Sequence, residues 1–194
     1  MARPREFDGD SVLDQAVEAF RARGYEGTSL ADLEKATGLG RASLYGAYGD
    51  KRALYLAALR RYDATRSLRL LAVMNEARTG RDAVERLFAT VAADAARDPR
   101  GCLMAGAASE QAAHDEGVAR CVGDNRRRME GGLAAAILRG RADGSVKRKA
   151  GDARTEARFL FATVLGVRAL AKCGCGKAEL EDVAARALAT LDLI

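Results

Sequence analysis

The sequence predicts an all-α protein of about nine helices: a three-helix N-terminal domain with a helix-turn-helix, then a larger helical C-terminal domain. Three observations carry this. The helix formers Ala, Leu, Arg and Glu dominate a chain of 194 residues that holds only 2 Pro. Clusters of β-branched residues and alternating strand patterns are missing. Apolar residues return at helical spacing in one segment after another. With 48% hydrophobic and 30% charged residues, the chain can build a real core and is not of the disordered class.

Residues 1–8 read as a short polar arm. The first helix runs from about Asp10 to Arg23, with Leu13, Ala16, Val17 and Phe20 on one stripe and Gly24 as its stop. Tyr25–Ser29 turns, and Thr28 or Ser29 caps a short helix over Leu30–Thr37 that points Leu30, Leu33 and Ala36 inward. Gly38-Leu39-Gly40 breaks it. A very short helix follows over Arg41–Gly46, and after Tyr48-Gly49 Asp50 caps a longer one that starts at Lys51. Leu54, Tyr55, Ala58, Leu59 and Tyr62 mark the inner side of that helix. The next spans Asp82–Arg97 and ends before Pro99, because the residue ahead of a proline avoids helical geometry. Helices over about 101–114, 116–141, 152–172 and 178–192 complete the chain, the last two separated by Cys173-Gly174-Cys175-Gly176. The expected domains are 1–52 and 53–194.

Residues 28–51 concentrate the functional signal. One short helix, a glycine-containing turn of about three residues and a second short helix make the helix-turn-helix pattern, whose second helix enters the major groove of DNA. A helix of about six residues does not stand alone in water. It makes sense when Leu39 and Leu44 anchor it to its neighbours and its other face is left for DNA. Arg41 can grip guanine O6 and N7 with two hydrogen bonds, Ala42 can touch a thymine methyl, and Ser43 can reach a base or a phosphate. Small Ala42 and Gly46 let the backbone approach closely. Tyr45, Tyr48 and Lys51 are placed for phosphates, as are Thr28, Ser29 and the amides that open the flanking helices.

This segment resembles the TetR family of transcriptional regulators. The resemblance rests on Thr28, Ser29, Leu30, Leu33, Ala36, Gly38, Leu39, Leu44, Tyr45, Tyr48 and Lys51, with Ala16, Phe20 and Gly24-Tyr25 upstream. Gly40 stands where a capping Ser is common, Ala47 where His is common, and Tyr48 in place of Phe. Losing the His removes one expected phosphate contact. The resemblance implies a homodimer whose last two helices pair with their copies, a palindromic operator in double-stranded DNA, and a small-molecule inducer bound inside the C-terminal bundle. Phe161, Val164, Leu165, Leu180, Val183, Leu188 and Leu191 are the candidate dimer residues; Phe88, Met104, Cys121 and Phe159 are candidates for the pocket, or plain core. Arg3-Pro4-Arg5 is similar to basic arms that enter the minor groove, but a loose start is the favoured reading of so short a signal.

Cys102 follows Gly101 at an expected helix start, where the helix dipole favours thiolate. It is the candidate sensor thiol, with a small buried residue as the plainer alternative. Cys173 and Cys175 lack the further ligands a metal site needs, since the chain has 1 His, and neither metal nor cofactor is expected. An enzyme with Cys102 as nucleophile lacks a base that the sequence can place. A helical adaptor without DNA binding leaves the intact 28–51 segment unexplained. The net charge of +5 decides little: residues 1–62 hold 10 Lys/Arg and 9 Asp/Glu, a balance of +1, so any DNA contact depends on placed residues. No apolar run reaches the ~18 residues of a membrane span, the start lacks a secretory apolar stretch, and a cytoplasmic protein with reduced thiols is expected.

Overall fold

The computed structural model describes residues 8–147 and 152–192. All regular structure among these residues is helical: α1 (Gly9–Arg23), α2 (Leu30–Thr37), α3 (Arg41–Tyr48), α4 (Lys51–Tyr62), α5 (Leu68–Asn75), α6 (Gly80–Arg97), α7 (Leu103–Glu110), α8 (Glu116–Asp143), α9 (Ala153–Lys172) and α10 (Lys177–Ala189). The Arg3-Pro4-Arg5 arm lies outside the described residues. A π turn over Asp63–Ser67 joins α4 to α5, and a 3-10 turn over Thr190–Asp192 closes the described chain. Helix α5 is not foreseen by the sequence reading, and α3 runs two residues beyond the expected Gly46. None of these helices is long and apolar enough to cross a membrane.

The chain divides into two compact units. One holds the residues up to Thr65 together with Leu103–Val122; the other holds Arg66–Cys102 and the residues from Gly123 onward. The expected boundary at 52/53 thus falls inside α4. The physical reason is that Leu54, Tyr55, Ala58, Leu59 and Tyr62 of α4 are buried, and α4 packs against α1.

In the N-terminal unit α1 and α4 are the main contact, and α7 packs on both. Phe20 meets Tyr55 edge-on with ring centres 4.8 Å apart, and Tyr25 lies 4.8 Å from Tyr55 on another side. Such aromatic contacts add roughly 0.5–1.5 kcal/mol each beyond burial. The Arg61 guanidinium clamps α4 to α1: Nε and Nη2 donate to the two Asp14 carboxylate oxygens at 2.8 and 2.7 Å, and Nη1 donates to Asp10 at 2.7 Å. Polar contacts tie the end of α7 and the loop after it to the same unit. The Tyr25 amide donates to Glu110 at 2.8 Å, Gln111 donates to Glu26 at 2.8 Å, and Arg52 grips Asp115 with two nitrogens. The Arg52 bond holds the Asp115 carboxyl down at about 2. Gly24 adopts φ 75°, a conformation in which a side chain is strained, and this favours glycine here.

In the C-terminal unit α6 packs against α5, α9 and α10, and α9 against α10. Leu87, Phe88 and Val91 of α6, Leu133 and Ile137 of α8, Leu160 and Val164 of α9, and Leu180 of α10 share one buried cluster. Gly80 opens α6 against α8, where a Cβ would strike the backbone of Ala136 and Gly140. Overpacking against backbone costs about 3 kcal/mol at such a site. Gly80→Ala is therefore expected to lower the urea midpoint by that amount of stability, with an unchanged slope; an unaltered midpoint would refute the close approach.

Candidate nucleic-acid interface

Helix α2 starts from a complete capping box. Ser29 Oγ accepts from the Asp32 amide at 3.1 Å, and Asp32 accepts from the Ser29 amide at 2.9 Å. The Ser29 hydroxyl also donates to Asp32 at 2.6 Å, and this bond is the main reason the Asp32 carboxyl sits below its ordinary range. Arg23 completes the corner with a 2.7 Å ion pair to Asp32. Gly38 ends α2 in the left-handed region at φ 69°, where a side chain would be strained.

Helix α3 begins differently. Gly40 occupies its cap position and offers no side chain. The missing acceptor comes from α2: Glu34 Oε1 accepts from the Arg41 amide at 2.6 Å. Inside the helix only Leu44 is buried, and it is fully enclosed. At the far end the Tyr48 hydroxyl donates to the Gly9 carbonyl at 3.1 Å and braces α3 to α1. The helix is thus held at both ends and at one point between, and the rest of it faces outward.

That outward face carries Arg41, Ala42, Ser43 and Gly46, all exposed, with Tyr45 half-buried beside them. The Arg41 guanidinium lies 5.7 Å from the Tyr45 ring centre, one helical turn away, which steers it along the outer surface. At the start of α4, Asp50 caps the helix through the Ala53 amide at 2.7 Å. Lys51 follows, half-buried, its ammonium 4.4 Å from the Tyr25 ring centre.

Three of the expected contact residues are engaged within the chain. Thr28 is fully buried, and its hydroxyl donates to the Gly24 carbonyl at 2.6 Å, so it braces the turn from within. Ser29 is exposed, but its hydroxyl is committed to the capping box. Tyr48 donates its proton to Gly9, which leaves none for an acceptor-only phosphate. Glu34 is the residue the sequence reading missed. The signal was available: a short helix that starts at a glycine needs its first amide satisfied from elsewhere.

The sensor and dimer candidates scatter. Phe88 is buried in the C-terminal core; Met104 is buried and Cys121 half-buried in the N-terminal unit. Phe159 keeps 52% exposure, so it lines no interior of its own chain. Of the dimer candidates, Phe161, Val164, Leu180 and Leu191 are buried in the C-terminal core of their own chain. Leu165, Val183 and Leu188 are half-buried at its edge. All four cysteines are unpaired: Cys173 is exposed, and Cys102, Cys121 and Cys175 are half-buried.

A short helix wedged by one leucine and capped by its neighbour, with small and basic residues outward, is a helix-turn-helix unit. The family model for bacterial regulatory proteins of the tetR family matches residues 12–58, the stretch from α1 into α4. The HTH-type transcriptional regulator YezE of Bacillus subtilis (strain 168) is 32% identical over 195 residues, covering 99% of this chain and 100% of its own. The HTH-type transcriptional repressor ComR of Escherichia coli (strain K12) is 29% identical, over 96% of this chain and 90% of its own. Among solved structures, a cysteine mutant of the TetR family regulator CifR complexed with 26 bp operator DNA aligns with a TM-score of 0.85 at 33% identity, covering 96% of this chain and 98% of that one. The chain belongs to the TetR family of DNA-binding transcriptional regulators, a family of regulators and not of enzymes.

Gly46 lies inside α3, where glycine costs about 1 kcal/mol relative to alanine. Yet a Cβ there would meet nothing within 4 Å. The packing of the chain itself thus has no need of this glycine. Gly46→Ala should raise the melting temperature and weaken operator binding at the same time. A variant that is more stable and binds equally well would remove Gly46 from the interface.

Proposed function

We propose that this chain is a cytoplasmic homodimeric repressor, bound to a palindromic operator and released by a small-molecule ligand or by thiol modification. The observation that carries the reading is α3: its one buried residue faces the protein, and its exposed face holds a base-reading set of Arg41, Ala42 and Ser43. Tyr45, Gly46 and Lys51 supply close approach and backbone contact. The CifR complex with operator DNA and the repressor name of ComR favour the same reading. We assign contact with DNA to residues within the first 52, and dimerisation and sensing to the helices beyond α4. Selection of bound duplexes from a random pool tests it, with one palindrome expected at half-site spacing near one helical turn. Arg41→Ala should relax preference at one position per half-site at a cost of about 1–3 kcal/mol. Lys51→Ala should weaken binding to all sequences alike and reduce the salt slope by about one. Equal binding by both variants would end the docking scheme.

The dimer face we assign is the outward side of α9. Phe159, Ala162, Gly166 and Leu170 follow each other at helical spacing. Phe159 and Leu170 keep 52% and 37% exposure, and a Cβ on Gly166 would meet nothing of its own chain within 4 Å. Large apolar groups beside a glycine suit a second helix at close range. Leu165, Val183 and Leu188 pack half-buried against the core. Phe159→Glu is expected to convert the dimer to monomers in sedimentation and to reduce operator affinity; a dimer that persists would move the interface elsewhere.

Cys102 is our candidate for thiol release. It is half-buried after Gly101, which adopts φ 86°, and it immediately precedes α7. Helix α7 ends at Glu110, the residue that accepts the Tyr25 amide beside Lys51. Modification at one end of α7 therefore has a direct route to the turn that leads into α2. Cys102→Ser should keep operator binding and abolish its loss on treatment with peroxide or an electrophile such as N-ethylmaleimide. An unchanged response would leave release to a reversible ligand alone.

A further inference from the structure

We propose that Glu34 is a specificity-determining residue that both caps the recognition helix and reads a base amine; this rests on the operator-binding reading of α3. One carboxylate oxygen is accounted for, since Oε1 takes the Arg41 amide at 2.6 Å. Among the described residues no donor takes Oε2. Glu34 is half-buried on α2, and its bond to Arg41 fixes it beside the first residue of α3, at the end where Arg41 and Ala42 are exposed.

The turn beside it is uncrowded. Gly38 and Gly40, which flank the turn between Glu34 and Arg41, would each carry a Cβ with nothing within 4 Å. With Gly40 in the cap position, no side chain from that residue covers the start of α3. A duplex whose major groove receives α3 therefore meets Glu34 together with Arg41.

Charge decides what Glu34 can meet there. A carboxylate accepts only, and it repels a phosphate oxygen. Its presence at the start of α3 turns that end of the helix from a phosphate site into a base site. Among base edges in the major groove, the cytosine N4 amine is the donor that a carboxylate reads. Adenine presents its N6 amine beside the N7 acceptor, which a carboxylate opposes. Arg41 on guanine and Glu34 on cytosine form a donor–acceptor pair set by one short hydrogen bond within the protein.

The test uses the full-length chain as wild type and as Glu34→Gln, with duplexes selected from a random pool. Gln keeps a carbonyl oxygen to cap the Arg41 amide, so its melting temperature is expected to stay near that of wild type. Wild type should select cytosine at one position of each half-site, and Glu34→Gln should lose that preference by roughly tenfold and tolerate adenine there. A second arm does not depend on the folding of any variant. Replacing the selected cytosine by 2-pyrimidinone, which lacks the 4-amino group, should weaken wild-type binding by roughly tenfold. Identical selected sequences for both proteins, or wild-type binding indifferent to loss of the amine, overturns the assignment to Glu34. A wild type that selects no defined sequence overturns the operator reading itself.

Discussion

The structure depends on holding an eight-residue helix that has almost no reason to exist by itself. Helix α3 buries one side chain, Leu44, and begins at a residue with no capping group. Nucleating so short a helix in water is unfavourable, and one buried leucine contributes only about 1.5–3 kcal/mol. Two hydrogen bonds from outside make up the difference: Glu34 at the first amide and Tyr48 to Gly9 at the last turn. Because support comes from beneath and from the ends, the outer surface is left to Arg41, Ala42, Ser43 and Gly46, whose side chains the packing of the unit does not enclose.

The supporting platform is wider than three helices. Helix α7 packs on α1 and α4, and Glu110, Gln111 and Asp115 bond to Tyr25, Glu26 and Arg52. These partners sit at the turn before α2 and at the first residues of α4, the two places that set the entry and exit of the helix-turn-helix. A segment about 85 residues along the chain from Tyr25 is therefore as much a part of the DNA-reading unit as α1 is.

The helix-turn-helix was legible in the sequence because its signals are local. Ser29, Gly38, Gly40 and Asp50 punctuate the segment, and Leu33 and Leu44 follow helical spacing, so element type and order could be read within about 25 residues. Helix α5 was missed because Asp63–Ser67 carries no apolar stripe, and the backbone passes through it as a π turn. Thr28 was misjudged for a different reason. A turn threonine can cap, contact a ligand or brace from inside, and only its complete burial distinguishes these. The dimer candidates meet the same ambiguity. Helix α9 is apolar on more than one side, and periodicity alone cannot say which stripe its own core takes; Phe161 and Val164 went inward while Phe159 and Leu170 stayed out.

The ion pairs of the N-terminal unit have a consequence for life among a whole genome of decoys. Arg23 is tied to Asp32, Arg52 to Asp115, and Arg61 to Asp10 and Asp14. Cations neutralised at home release few counterions from random duplex, and counterion release supplies most sequence-independent attraction. In a regulator that binds an operator as proposed, such pairing would weaken the attraction to irrelevant DNA. Its occupancy of the right site then owes less to abundance than to the ratio between correct and incorrect sites, which is the quantity that matters when millions of the latter compete.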